Sequence, residues 1–339
     1  MGETKIITLN HGSGGKLTHD LIENLFLKYF KNKDIITLTD SAIVPSQSSH
    51  LAFTTDGYVV EPIFFPGGNI GKLAVCGTVN DLAVSGAKPA YLSCSFIIEE
   101  GLTFDELEKI VVTMAEEASK AGVNIVTGDT KVVHKGKGDK IFITASGIGF
   151  VDEDRAKIGS ADKAKEGDKI IVTGSLGDHA IAILSSRESL TFETPVVSDC
   201  ASLNGLIEKA LEACPNISFM RDATRGGAAT VLCELAEKTG KGIIIYEKEI
   251  PVKESVMAIC EMFGFDPLFL ANEGKAVIVV PANDADKVLQ ILQMHELGKD
   301  AAIIGEITAE NPRKVILKTS TGGKRWIDMP SGAQLPRIC

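Results

Sequence analysis

The sequence predicts an α+β protein of two domains that ends in an arm without regular structure. The chain has 339 residues, more than a single hydrophobic core usually accommodates. Strand-like and helix-like segments follow one another in both halves of the chain. After Trp326, two prolines, a glycine and several small polar residues show neither period, which predicts a mobile arm. We therefore divide the chain into an N-terminal loop and helix, two domains and the arm, at residues 1–34, 35–153, 154–318 and 319–339.

Composition and charge exclude several classes of protein. The chain is 44% hydrophobic and 24% charged, which is typical of globular proteins, and its formal net charge is -10. That negative charge argues against nucleic acid or an anionic membrane as a partner. No apolar run is long enough to span a bilayer, and the first residues do not resemble a signal peptide. Seven cysteines, none in a Cys-x-x-Cys pair, predict a cytoplasmic protein without a zinc or iron–sulfur site.

A glycine-rich loop at residues 10–17 leads into a helix expected at about 18–30. It is not a Walker A loop, because the glycine spacing differs and Leu17 rather than Ser or Thr follows Lys16. Backbone amides at a helix start can bind phosphate, but a plain flexible loop explains the same residues equally well.

Acidic residues recur near strand ends in the first half. Strands are expected at 35–44 and 51–57, with Asp40 and Asp56 near their ends. The helix expected at 70–85 is rich in small residues, which predicts close packing, yet it carries Asn80 and Asp81. These two are either ligands of a metal or phosphate, or an exposed edge of the helix.

The same pattern continues to the end of the first domain. A strand at 91–98 precedes a helix that begins with a capping box, Thr103 and Glu106. A buried strand at 123–126 should follow, with an acid and a base, Asp129 and Lys131, just beyond it. Oxygen ligands at Asp40, Asp56, Asp81 and Asp129 would suit Mg²⁺ carrying nucleotide phosphates.

The second half repeats the strand–loop–helix order. His179 lies at a helix start, where we expect a cap or packing residue rather than a ligand. The loop from Arg221 to Gly227 precedes a helix at 228–239 and is either an anion cradle or a capped helix with surface arginines. Glu273 lies in a loop before a strand at 276–280. The other expected elements are helices at 203–213, 254–263 and 284–293 and strands at 169–173, 242–246, 302–308 and 314–318.

The arm ends in a cysteine, Cys339. Leu335 and Ile338 are apolar anchors close to it, and Arg337 adds a cation. A dozen extended residues span roughly 35–40 Å, which is enough to carry the sulfur from solvent into a pocket. The alternative is an incidental exposed thiol at a tolerant terminus.

Motifs along the whole chain resemble the HypE family of hydrogenase maturation factors. This family belongs with aminoimidazole ribonucleotide synthetase, selenophosphate synthetase and thiamine-phosphate kinase. The resemblance implies a PurM-like fold and a homodimer whose first domains pair through β-strands, with ATP between those strands and the second domain. The motifs are His11-Gly12-Ser13-Gly14-Gly15, Phe65-Pro66-Gly67-Gly68, Gly77-Thr78-Val79-Asn80-Asp81-Leu82-Ala83, Thr127-Gly128-Asp129-Thr130-Lys131, Ala271-Asn272-Glu273-Gly274-Lys275 and Pro336-Arg337-Ile338-Cys339.

The resemblance also implies a reaction on the arm. The carbamoyltransferase HypF would place a carboxamide on the sulfur of Cys339. ATP would then drive its dehydration to a thiocyanate, whose cyanide goes to the iron of [NiFe] hydrogenase through HypC and HypD. The amide oxygen is a poor leaving group, so its phosphorylation must precede its loss.

Site residues follow by matching position. Glu273 would be the base, and Lys131 would stabilise the amide oxygen or the phosphate. Asp40 would be a metal ligand. It stands between Thr39 and Ser41, whereas relatives in the superfamily often have two adjacent acids at this site. The remaining residues expected to hold ATP and Mg²⁺ are Asp56, Asn80, Asp81, Asp129, Thr130 and Arg225.

Other readings remain. Selenophosphate synthesis would need a reactive cysteine in the N-terminal glycine loop, which has none. Thiamine-phosphate or purine chemistry gives no reason for a terminal cysteine. A non-enzymatic scaffold whose arm recruits maturation partners is the alternative from another class.

Overall fold

The computed structural model describes residues 15–21, 23, 42–45, 50–187, 196–330 and 332. Helix α1, Lys16–Leu21, begins two residues before the helix expected at 18–30, and most of that expected range lies outside the described residues. The backbone N–H of Lys16 donates to the carbonyl of Pro330 at 2.6 Å, and His19 lies 3.2 Å from Glu234. The end of the N-terminal glycine loop therefore contacts the start of the C-terminal arm at Pro330.

A five-stranded sheet forms the first part of the fold. Its order is β1-β2-β7-β5-β6, and only β5 and β6 pair in parallel. Helix α2 packs against β2, β5 and β7, and helix α3 packs on α2. The elements are β1 Ala42–Pro45, β2 His50–Tyr58, β3 Phe64–Phe65, β4 Gly68–Asn69, α2 Ile70–Val84, β5 Lys88–Glu99, α3 Phe104–Ala121, β6 Asn124–Val133 and β7 Ile141–Val151.

Local sequence explains the two helices. Asn69 caps α2 by accepting from the N–H groups of Gly71 and Lys72. Fourteen of the fifteen residues of α2 are buried, as its small side chains predict. The capping box of Thr103 and Glu106 is confirmed at the start of α3.

A seven-stranded sheet forms the second part, in the order β14-β13-β10-β12-β8-β11-β9. Helix α6 covers one face, while α5 and α8 cover the other. Strand β11 is buried at all five positions because both faces are covered. The elements are β8 Lys169–Val172, α4 Asp178–Ser185, α5 Asn204–Ala213, β9 Phe219–Asp222, α6 Gly227–Thr239, β10 Gly242–Tyr246, α7 Glu254–Phe263, β11 Ala276–Val280, α8 Ala285–Gln293, β12 Ala302–Thr308, β13 Val315–Lys318 and β14 Lys324–Ile327.

Two expectations about element boundaries are wrong. Residues 127–131 lie inside β6 rather than in a loop beyond a buried strand, and β6 is the exposed edge of its sheet, with Val126 59% exposed. The error arises because an edge strand with apolar side chains has the same sequence pattern as a buried strand. The arm does not begin at 319, because β14 pairs with β13 and buries Ile327.

Across the part of the chain that the structure describes, no helix combines the length and the apolar character needed to cross a membrane.

Candidate active site

Three side chains on the inner face of β2 point toward helix α2. Thr54, Asp56 and Tyr58 alternate along the strand, as a period of two requires. The hydroxyl of Thr54 donates to Oδ2 of Asp81 at 2.7 Å. The phenol of Tyr58 lies 3.1 Å from the hydroxyl of Thr78 and 3.5 Å from Oδ2 of Asp56. Hydrogen bonds between β2 and α2 therefore hold Asp56 and Asp81 at one place.

The Gly-Thr pair in the middle of α2 is explained by this contact. A Cβ at Gly77 would lie 2.5 Å from the hydroxyl oxygen of Tyr58, so a larger residue would displace the ring. Thr78 also donates to the carbonyl of Ala74 at 2.8 Å, so its oxygen is left to accept from Tyr58. Burial raises the pKa of Tyr58 well above its ordinary value, and Asp56 and Asp81 raise it further. The phenol therefore stays neutral and acts as a hydrogen-bond donor.

Asn80 joins the two parts of the fold. Its amide nitrogen donates to the carbonyls of Ala201 at 3.0 Å and Glu273 at 3.2 Å, and its oxygen accepts from the N–H of Leu203 at 2.7 Å. The residue is 1% exposed. These bonds favour a structural role for Asn80 over the predicted contact with nucleotide. The exposed helix edge that the sequence left open is excluded, since Asp81 is also buried.

Glu273 is the buried acid of the site. It is 3% exposed, and its Oε1 has no hydrogen-bond partner among the residues that the structure describes. Burial raises the pKa of the Glu273 carboxyl well above its usual range, and the nearby acids Asp222 and Asp199 raise it further. Arg225 acts in the opposite direction. A buried carboxyl with an open oxygen is a group suited to exchanging a proton with a bound substrate.

The loop before α6 brings one of its two arginines to this centre. Arg225 lies 4.0 Å from Oδ1 of Asp56. Arg221 instead contacts Glu234 directly, within the same part of the fold. Of the residues predicted to bind an anion, only Arg225 and the backbone at the start of α6 are therefore kept as candidates.

Asp129 and Lys131 lie elsewhere on the sheet. Their side chains pair with each other at 2.9 Å, and both are largely exposed. Asp56 is in register with Ala145 of β7, and the row continues through β5 to Gly128 of β6. Three strand spacings, about 14 Å, therefore separate the backbone of Asp56 from this part of β6. Thr130 also lies in β6.

Of the four predicted metal ligands, the structure describes Asp56, Asp81 and Asp129. Asp40 and Cys339 fall outside the described residues, and no group of three or more potential metal-binding side chains occurs within them. The structure brings Asp56 and Asp81 together with Arg225 and Glu273, and it leaves Asp129 apart. Carboxylate oxygens at Asp56 and Asp81 are ligands that Mg²⁺ accepts, so this donor set fits the ion.

Sequence reasoning missed Thr54, Tyr58 and Asp199. The alternation of Thr54, Asp56 and Tyr58 was the available signal, because alternate residues of a half-buried strand share one face. His179 is confirmed as a packing residue, since it is fully buried and its Nδ1 lies 2.8 Å from the hydroxyl of Ser198.

Comparison with known families identifies both parts of the fold. Residues 38–151 match the N-terminal domain of AIR synthase related proteins, and residues 165–318 match the C-terminal domain. The chain is similar to carbamoyl dehydratase HypE of Bradyrhizobium diazoefficiens, with 49% identity over 98% of this chain and 96% of the relative. It is 48% identical to carbamoyl dehydratase HypE of Escherichia coli K12, over 98% of this chain and 99% of the relative.

Solved structures agree with these matches. A crystal structure of a HypE–HypF complex contains a chain with a TM-score of 0.86 and 50% identity, over 91% of this chain and 99% of that one. A crystal structure of HypE in complex with ATP gives a TM-score of 0.81 and 47% identity, over 98% of this chain and 100% of that one. A thiamine monophosphate kinase of Aquifex aeolicus, at 18% identity and a TM-score of 0.68, shares the fold.

Proposed function

The chain belongs to the HypE family of carbamoyl dehydratases, and from that membership we propose that it dehydrates a carboxamide carried on its own Cys339. ATP drives the reaction, and the product is a thiocyanate whose cyanide becomes a ligand of hydrogenase iron. The carbamoyltransferase HypF loads the sulfur, HypC and HypD receive the cyanide, and the reaction takes place in the cytoplasm. The names of the relatives support the dehydration, and a relative solved with ATP supports the nucleotide.

The proposed chemistry removes an oxygen that does not leave unaided. The amide oxygen attacks the γ-phosphorus of ATP and releases ADP. One amide proton is lost in this step, and the resulting iminophosphate loses inorganic phosphate as its one remaining N–H bond breaks, which leaves a carbon–nitrogen triple bond on the carbon attached to sulfur. The sum is carboxamide plus ATP giving thiocyanate, ADP, phosphate and a proton, so the amide oxygen ends in phosphate.

One observation carries this proposal: the two parts of the fold meet where Asp56, Asp81, Arg225 and Glu273 converge. Asp56 and Asp81 would hold Mg²⁺, which neutralises phosphate charge when bound. Arg225 would contact the phosphates. Glu273 would accept an amide proton, and its raised pKa makes it a stronger acceptor once it is ionised.

In a single subunit, the predicted site residues of β6 lie apart from the others. Lys131 pairs with Asp129 on an exposed edge, three strands from Asp56. Large apolar side chains are nevertheless exposed on the same sheet, among them Phe53, Tyr91 and Phe150, each more than 40% exposed. Such a face supports the proposed homodimer that pairs through β-strands. We therefore keep Asp129, Thr130 and Lys131 as residues of a site formed by the dimer.

Intact mass spectrometry tests the proposed function. Full-length protein carrying the carboxamide on Cys339 is incubated with and without Mg–ATP. We expect the mass of one water to be lost only with ATP, and Cys339→Ala to accept no carboxamide. ATP hydrolysis without any change in protein mass would instead indicate a separate small-molecule acceptor. An unchanged mass without hydrolysis would favour the scaffold.

A further inference from the structure

A short segment, residues 198–203, connects the first sheet with the loop that carries Glu273. We call it the bridging segment. At one end, the N–H of Ser198 donates to the carbonyl of Pro66 at 2.8 Å. A Cβ on Gly67, whose φ is +95°, would lie 2.9 Å from the backbone of Ser198. The Pro66-Gly67-Gly68 turn, part of one of the sequence motifs, therefore packs directly against the start of this segment.

Helix α2 holds the other end of the bridging segment. The side chain of Asn80 forms hydrogen bonds with the backbone of Ala201 and Leu203. Both ends are thus fixed to the part of the fold that carries Asp56 and Asp81.

Asp199 reaches from this segment to the loop of Glu273. Its Oδ1 accepts from the N–H of Glu273 at 3.1 Å, and its Oδ2 accepts from the N–H of Gly274 at 3.1 Å. The ammonium of Lys275 lies 3.5 Å from Oδ2, and the side chains of Asp199 and Lys275 are 2% and 9% exposed. A Cβ on Gly274 would lie 1.9 Å from the carbonyl oxygen of Asp199, so the close approach requires glycine.

We propose that Asp199 is a positioning residue for Glu273: it fixes the peptide of the base relative to helix α2. This inference rests on the proposed function. Two N–H groups and one buried ammonium converge on a single carboxylate, whose side chain is itself buried. Asp199→Asn leaves one of the two N–H groups without an acceptor, because the amide has a single acceptor oxygen, and it removes the counter-charge of Lys275. The loop would then settle in another position, and a shift of about 1 Å at a reacting group can cost about 100-fold in rate.

The test compares Asp199→Asn with a matched control, Asp168→Asn. Asp168 is also buried, and its Oδ2 accepts from the N–H of Lys165 at 3.0 Å and from the hydroxyl of Ser218 at 3.3 Å. It directly precedes Lys169, which pairs with Val280 at the end of β11 far from Lys275. Loss of its carboxylate therefore disturbs the domain without touching the Glu273 loop.

The readout is single-turnover dehydration of full-length protein carrying the carboxamide on Cys339, measured over a range of Mg–ATP concentrations. We expect Asp199→Asn to lower the maximal rate by about 10- to 100-fold while leaving the half-saturating ATP concentration unchanged. Asp168→Asn should lower thermal stability but leave both kinetic quantities unchanged. A purely structural role for Asp199 would make the two variants behave alike, and that result would overturn the inference.

A double variant separates this inference from the proposed function. If Asp199 acts through Glu273, Asp199→Asn adds little further loss to Glu273→Gln. Multiplicative losses would show independent action and reject the positioning role. Should Glu273→Gln keep the full rate, the assignment of the base fails, and the inference for Asp199 falls with it. If Glu273→Gln lowers the dehydration rate as expected but Asp199→Asn keeps the full rate, only the positioning role of Asp199 is rejected.

Discussion

Two regions of the molecule have acidic residues within apolar segments of the sequence but differ in structure. One is the contact between β2 and α2, and the other is the edge strand β6. At the first, hydrogen bonds from Thr54 to Asp81 and between Tyr58 and Thr78 join β2 to α2, and they place Asp56 and Asp81 near each other. At the second, Asp129 pairs with Lys131 in solvent. An acid near the end of an apolar strand is therefore not enough to identify a ligand. What distinguishes the two places is whether neighbouring elements constrain the carboxylate.

The largest effect on activity should come from Glu273, the buried acid next to the contact between β2 and α2. We expect Glu273→Gln to slow dehydration by about 100- to 10,000-fold, because the amide proton loses its acceptor. ATP binding should persist, since the substitution leaves Asp56 and Asp81 intact. Single-turnover kinetics on the carbamoylated protein measures the first quantity, and equilibrium nucleotide binding measures the second. A full dehydration rate in this variant would remove Glu273 from the chemistry.

The pH dependence of the wild type should report the same group. The pKa of Glu273 is raised, and only the ionised carboxylate accepts a proton. The rate should therefore increase with pH through a pKa well above that of an ordinary glutamate, and Glu273→Gln should lose this limb. A rise in rate over the pH range of an unperturbed carboxyl would contradict the raised pKa of Glu273.

Asp81→Asn and Asp129→Asn compare the two places directly. We expect the first to lower ATP turnover by about 100- to 1,000-fold, because the negative charge that would hold Mg²⁺ is removed from a fixed position. The second should have a smaller effect in the monomer, where Asp129 is exposed. An equal loss in Asp129→Asn would show that β6 contributes fully to the site, and a dimer-dependent loss would show that it does so across subunits.

Gly77→Ala should act on stability through Tyr58. The added methyl would lie 2.5 Å from the phenol oxygen, so the ring must move. We expect a loss of about 1–3 kcal/mol in the free energy of unfolding, measured by denaturant titration. Gly138→Ala is a suitable control, because the atoms nearest to its added methyl lie at 3.6–3.7 Å. Equal effects from the two substitutions would argue against the close contact with Tyr58.

Lys131→Ala should have the smallest effect on stability. Its ion pair with Asp129 is 68% and 57% exposed on the two sides, and such pairs contribute about 0–1 kcal/mol. Thermal unfolding of this variant should match the wild type. A clear loss of stability would contradict the description of Lys131 and Asp129 as an exposed pair.

Periodicity predicted the elements that position the site. The strand carrying Asp56, helix α2 and the capping box of α3 all follow from local patterns. The position of Glu273 before β11 was also correct. These features depend on neighbours in the chain, which a single sequence displays.

Contacts across the two sheets could not be predicted. Asn80 bonds backbone groups more than a hundred residues away, and Asp199 meets Glu273 across 74 positions. Nothing in their local pattern indicates those partners. The exposed position of β6 was missed because its apolar side chains have the composition of a covered strand, although it lies at the edge of the sheet.

The most direct test follows the amide oxygen. Protein carrying a carboxamide labelled with heavy oxygen on Cys339 is mixed with Mg–ATP, and the inorganic phosphate is analysed by mass spectrometry. If the amide oxygen attacks the γ-phosphorus, the label appears in inorganic phosphate, one atom for each thiocyanate formed. Label in water with unlabelled phosphate would contradict the account, because dehydration would then proceed without phosphorylation of the amide oxygen.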